Sequence, residues 1–326
     1  MRLVTARQDV WPIAGSFVIA RGAKTEAKVI VVELAQDGHV GRGESVPYGR
    51  YDETIERVLA QIDQVSGAVA GGMDCTALMD ALPAGAARNA IDCALWDLQA
   101  KQSGIRAHVR AGYARLDPVK TAYTISLGTP QTMAIAAKAA AKRPMLKLKI
   151  GGPDDLDRVE AVRLAAPKTR LVVDANEALS FDDLVRLAPD FARLRVQLIE
   201  QPLRAGEDEA LEGYDSPVML CADESLHTRK ELAQCARRYG AINIKLDKAG
   251  GLTEALALRQ EALALGLEIM AGCMVATSLS MAPAMMIAQG AAIVDLDGPL
   301  LLAKDREPGL TYIGSMIEPG SEALWG

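Results

Sequence analysis

Lys147 and Lys149 stand two residues apart in the run MLKLKIG. On an extended strand, side chains alternate between faces, so both ammonium groups point the same way. At about 6–7 Å apart and an effective dielectric of about 20, they repel by roughly 2–3 kcal/mol, which favours losing one proton. A lysine tuned in this way can act as a general base; a solvated lysine pair is the alternative. Asp174, Glu200 and Asp223 close three further apolar runs, RLVVDAN, VQLIEQP and VMLCADE, at separations of 26 and 23 residues. Each separation fits one strand–helix unit, which lets carboxylates from neighbouring strands converge. Converging carboxylates call for a cation. The donors are hard oxygens and the three histidines, His39, His108 and His227, are scattered, so Mg²⁺ is favoured over zinc. Three separate salt bridges are the alternative.

The elements that must position these groups are short apolar runs of strand length. There are eight: 121–128, 145–151, 170–176, 196–202, 218–224, 241–248, 268–274 and 292–299. Helical patterns such as DLDRVEAVRLAA and LTEALALRQEALALG lie between them. Strand and helix in alternation predict an α/β fold with a parallel barrel, whose chemistry belongs at the C-terminal rim of the strands. Lys245 ends the sixth run, four strands from Lys149, and therefore faces it across the mouth; a structural lysine is the alternative. Two opposed lysines with a Mg²⁺ between them suit one reaction. One lysine takes the α-proton of a metal-bound carboxylate, the other returns a proton from the opposite side, and the enediolate between these steps is stabilised by the ion. Asp295 and Asp297 share a face at the end of the eighth run, across from the metal acids. They suit a substrate ammonium, or else form structural bonds. A carboxylate with a cation one peptide unit away describes a dipeptide.

Residues 1–118 read as an α+β domain, with paired strands in MRLVTARQDV and AKVIVVELAQDG and helices at 53–66 and 86–103. Residues 119–303 are the barrel. Residues 304–326 contain one more short strand in GLTYIGSMI and are expected to return to the first domain. Half of the 326 residues are hydrophobic and 24% are charged, enough for a large core. A formal net charge of −6 and a pI near 5.3 argue against nucleic acid as a partner. The five cysteines form no close pair and suit a reducing compartment. Residues 269–294 carry no charge and are long enough to span a bilayer, but Gly272, Thr277, Ser278, Ser280, Pro283, Gln289 and Gly290 favour strand, loop and buried helix instead. A soluble, cytoplasmic protein is expected, with a homo-oligomer left open. No dinucleotide fingerprint, Walker A loop or GxSxG elbow is present.

The motifs KLKIG, VVDANEA, IEQP, CADES and INIKLDKAGG resemble those of the enolase superfamily, in the subgroup with lysines on both sides of the barrel. The resemblance runs over nearly the whole chain. It implies a modified TIM barrel, (β/α)7β, with an α+β capping domain built from the N-terminal part and the C-terminal tail. It implies Asp174, Glu200 and Asp223 as Mg²⁺ ligands, and Lys149 and Lys245 as the acid/base pair. Lys147 would assist at the substrate carboxylate, and Asn176 and Asp247 would orient these groups. FVIARG, PYGRY, PAGAARNAIDCALWD, CADESLHTR and DLDGP are further similar to the dipeptide epimerases of this superfamily. That likeness implies an Ala-Glu dipeptide, L-Ala-D/L-Glu or similar, as substrate in murein peptide recycling. Asp295 and Asp297 would hold its ammonium, Arg21 its side-chain carboxylate, and Thr124 and Cys273 would line it, with Tyr48 on a closing loop. Ala276, in GCMVATS, stands where many relatives carry an acid. A dipeptide epimerase of other side-chain preference, an N-acylamino acid racemase or cycloisomerase, and a catalytically silent peptide-binding barrel remain as alternatives.

Overall fold

The structure, a computed structural model, describes every residue except 1 and 20. Three antiparallel strands open the chain: β1 (Leu3–Ile19), β2 (Gly22–Gln36) and β3 (His39–Ser45). The β1–β2 register shifts between Pro12 and Phe17, where proline cannot donate to the ladder. Three helices follow: α1 (Ile55–Ala70), α2 (Cys75–Ala81) and α3 (Ala86–Ser103). Thr54 caps α1 and Asp74 caps α2, each accepting a backbone N–H. The α3 bounds match the sequence expectation; α1 runs later than expected, and α2 had no helical signal long enough to find. Helix α3 packs directly on β3 because Gly43 has no side chain; a Cβ there would lie 2.1 Å from the Ala90 carbonyl oxygen.

The strand β4 (Val119–Lys120) leads into eight parallel strands: β5 (Tyr123–Ile125), β6 (Met145–Lys149), β7 (Arg170–Asp174), β8 (Val196–Glu200), β9 (Met219–Ala222), β10 (Ala241–Ile244), β11 (Glu268–Gly272) and β12 (Ile293–Asp295). They pair in sequence order, and Ala122 N donates to Val294 O at 2.7 Å across the remaining seam. All eight expected runs are strands of this barrel. The uncharged stretch after Glu268 resolves into β11, the wholly buried helix Ser278–Ala288, and β12. Among the described residues, no helix is long and apolar enough to cross a membrane.

The tail holds two short strands rather than the one expected, β13 (Tyr312–Ile313) and β14 (Met316–Ile317), a hairpin that pairs with β4. Beyond it the chain lies on α3: Trp325 Nε1 donates to Cys93 O at 3.0 Å, and Gly326 N donates to Asp97 Oδ1 at 2.7 Å.

Candidate active site at the barrel mouth

The period-two alternation of the strands puts Lys147, Lys149, Asp174, Glu200, Asp223, Lys245 and Asp295 inside the mouth, all buried. Lys147 is the hub. Its Nζ lies 2.8 Å from Asp295 Oδ2, 3.1 Å from Asp174 Oδ2 and 2.6 Å from Glu200 Oε2. Lys149 Nζ donates to Asp174 Oδ2 at 2.5 Å, and Lys245 Nζ to Asp223 Oδ2 at 2.6 Å. Strands β6 and β10 are four apart in the ring, so Lys149 and Lys245 rise from opposite walls. Both border one cavity of about 830 Å³, together with Thr124, Asp223, Cys273, Asp295 and Asp297.

This geometry revises two electrostatic expectations. Burial would depress Lys147, but Asp295, Glu200 and Asp174 hold its ammonium well above the ordinary lysine range. Repulsion from Lys149 is therefore outweighed by three carboxylates. The acids, in turn, have cations between them: the lysines themselves. Among the described residues, no three acidic, histidine or cysteine side chains form an open cation cage. Burial and the charge of Asp174 push Glu200 up to about 7. Burial opposes the charge of Asp174 too, but Lys149 and Lys147 keep its carboxyl below the usual range. The donor set still fits a hard divalent ion. Glu200 Oε2 is buried without hydrogen-bond geometry, although it lies 2.6 Å from the Lys147 ammonium.

Asp297 Oδ2 accepts from Thr124 N at 2.6 Å, and burial beside Asp295 pushes the Asp297 carboxyl up to about 7. Asn176 N donates to Asp174 Oδ1 at 3.0 Å, which braces that carboxylate. Asp247 makes its bonds to the N-terminal domain instead, accepting from Val46 N at 2.8 Å and Asn89 Nδ2 at 2.9 Å. Arg21 reaches the rim from the β1–β2 hairpin. Its guanidinium donates to Glu224 Oε1 at 2.7 Å, Glu177 Oε2 at 3.1 Å, the Asn176 carbonyl at 2.9 Å and the Tyr48 hydroxyl. Internal partners thus occupy Arg21.

Sequence reasoning missed several members of the site. Lys24 pairs in register with Phe17 on the hairpin, so both project from one face. The Phe17 ring lies 5.9 Å from Lys149 Nζ, and Lys24 Nζ lies 5.3 Å from the Tyr48 ring centre. Lys24 borders the cavity and, among the described residues, has no carboxylate within ion-pair distance. The signal was the β1–β2 register, which sequence alone did not supply across the shift at Pro12. Asn243 donates to Glu200 Oε1 at 2.8 Å and Lys248 contacts Asp223; both sit in the INIKLDKAGG motif, and neither borders the cavity.

Residues 132–303 match the family model described as enolase C-terminal domain-like, and residues 1–108 match the mandelate racemase / muconate lactonizing enzyme N-terminal domain. This chain belongs to the enolase superfamily. Within that superfamily it is 45% identical, over 96% of its own length and 98% of the relative's, to the L-Ala-D/L-Glu epimerase of Escherichia coli K12. It is also 45% identical to an N-acetyl-D-glutamate racemase of a Pseudoalteromonas species, over 91% of this chain and 95% of that one. An Agrobacterium tumefaciens enolase family member with homology to dipeptide epimerases, solved with sodium and L-Ala-L-Glu, superposes with a TM-score of 0.98 at 50% identity, covering all of both chains. A Methylococcus capsulatus dipeptide epimerase, solved with Mg and L-Arg-D-Lys, superposes with a TM-score of 0.90 at 29% identity, covering 97% of this chain and 96% of that one.

Proposed function

We propose that this enolase-superfamily isomerase is a Mg²⁺-dependent dipeptide epimerase acting on L-Ala-D/L-Glu. The observation that carries the reading is the pair of lysines on opposite walls of one cavity whose far side presents Asp295 and Asp297. With the dipeptide's ammonium at Asp295 and Asp297, its C-terminal α-carbon lies towards Lys149 and Lys245. One lysine, in its neutral form, accepts the α-proton; the electron pair delocalises into the carboxylate; the other lysine, as ammonium, delivers a proton to the opposite face. Asp174, Glu200 and Asp223 would hold Mg²⁺, whose charge, when bound, makes the α-proton more acidic. Lys147 adds a fixed positive charge beside the same carboxylates. Lys24 is the cation left for the substrate's side-chain carboxylate, with Arg21 bracing the rim beside it.

Incubation with Ala-Glu in D₂O tests this. Deuterium appears at the glutamate α-carbon with inversion; no exchange on any dipeptide overturns the proposal. A second reading, racemisation of N-acylglutamate, is favoured by one feature. Asp295 is already paired with Lys147, and Asp297, near neutrality, can donate a hydrogen bond to an acyl carbonyl. A higher kcat/KM for N-acetylglutamate than for Ala-Glu would select it. The cellular setting we propose is the cytoplasm, on dipeptides released from murein. A strong preference for Ala-hydrophobic dipeptides over Ala-Glu would contradict that setting.

A further inference from the structure

Behind the cavity lies a buried ammonium that no step of the reaction uses. Lys248 sits in the four-residue helix Leu246–Ala249 that follows β10, with its side chain 1% exposed. Unlike Lys147, Lys149 and Lys245, it does not border the main cavity. Its Nζ lies 2.6 Å from Asp223 Oδ1 and donates to Leu226 O at 2.9 Å, Asn243 O at 3.1 Å and the Asp223 carbonyl. A buried ammonium has no water to substitute for these partners, so the contacts fix both it and them. Asp223 is thereby gripped at one oxygen by Lys248, while the other meets Lys245 at 2.6 Å.

The same ammonium also acts one strand further on. Asn243, whose carbonyl Lys248 holds, donates Nδ2 to Glu200 Oε1 at 2.8 Å. Gly272 on β11 leaves room for that amide; a Cβ there would stand 2.3 Å from Asn243 Oδ1.

We propose that Lys248 is a positioning residue for the cation site, holding the carboxylate of Asp223 directly and that of Glu200 through Asn243, without touching the substrate. The inference rests on the reading of Asp174, Glu200 and Asp223 as Mg²⁺ ligands. A lysine with only a structural role would change stability and leave cation affinity alone.

The test is titration of the full chain with Mg²⁺ by calorimetry, and with Mn²⁺ by electron paramagnetic resonance, for wild type, Lys248→Gln, Lys248→Met and Asn243→Ala, with circular dichroism to confirm folding. Both Lys248 variants are expected to raise the Mg²⁺ Kd about 10- to 100-fold, with kcat at saturating Mg²⁺ falling much less. Asn243→Ala, which keeps Lys248, is expected to raise it in the same direction and decides the matter if neither Lys248 variant folds. Folded Lys248 variants with wild-type Mg²⁺ affinity overturn the inference, and so does unchanged affinity in Asn243→Ala. A wild-type chain that binds no Mg²⁺ at millimolar concentration overturns the cation-site reading itself, and this inference with it.

Discussion

The two ends of the barrel interior are built from the same strands to opposite specifications. The floor is an apolar layer with one residue from each strand or its start: Ala122, Met145, Val172, Leu198, Cys221, Ala241, Met270 and Ile293. Two residues further along, on the same inward stripe, stand Thr124, Lys147, Asp174, Glu200, Asp223, Asn243, Gly272 and Asp295. Beyond these, Lys149, Lys245 and Asp297 carry charge further up the stripe. One step of the pleat thus separates a layer that excludes water from a layer of buried charge. Burial at the floor stabilises without a partner, whereas most of the charges at the mouth are held by an opposite charge. The comparison predicts that substitutions at the floor and at the mouth will fail in different currencies: unfolding free energy below, turnover above.

The largest effect belongs at the mouth. Lys149→Ala or Lys245→Ala should lower epimerisation about 10³- to 10⁴-fold, with little change in melting temperature. Deuterium exchange from one epimer should survive in each variant, because the remaining base works from its own side. Loss of exchange from both epimers in both variants would mean that the two lysines are not separate bases. At the floor, Met270→Ala should cost about 2–5 kcal/mol in denaturant unfolding and leave kcat of the folded fraction unchanged. A drop in kcat there would blur the boundary between the layers. At the rim, Lys24→Met should raise KM for Ala-Glu about tenfold or more, the worth of one charge-assisted hydrogen bond, while an Ala-Leu substrate should barely respond. Arg21→Met should show the weaker selectivity; the reverse order would return the side-chain contact to Arg21.

The last effect is a pH dependence. Burial pushes the Asp247 carboxyl up to about 7, against about 4 in an unfolded chain. The folded state therefore binds the extra proton, and stability present below about pH 4 is lost as pH rises through 7. Asp247→Asn removes that loss. Its unfolding free energy should exceed that of the wild type at pH 8 by up to about 4 kcal/mol, and the gap should close near pH 4. A gap independent of pH would show that Asp247 stays ionised in the fold.

The sequence disclosed the mouth better than its wiring. Each barrel strand is a short apolar run, and period two carries Lys147, Lys149, Asp174, Glu200 and Asp223 to one face, so their convergence was legible. Which charge answers which was not. Lys147 meets three acids because the ring of strands closes and brings Asp295 of β12 beside β6, a contact between residues distant in the chain. Lys24 was hidden because its facing depends on a hairpin register that shifts once between Pro12 and Phe17. Lys248 was hidden because a single-turn helix interrupts the strand period after Ile244. The second tail strand escaped because two-residue strands carry no periodicity to detect.

The hairpin formed by β1 and β2 has one more implication. It hangs Phe17, Arg21 and Lys24 over a mouth assembled entirely from a later part of the chain. On the proposed reading, contact with the substrate's side chain and transfer of its α-proton are therefore written in separate stretches of gene. A handful of changes in this ribbon can retune what is accepted while the machinery beneath is inherited intact, which makes the ribbon the natural place to begin when redirecting the protein to other peptides.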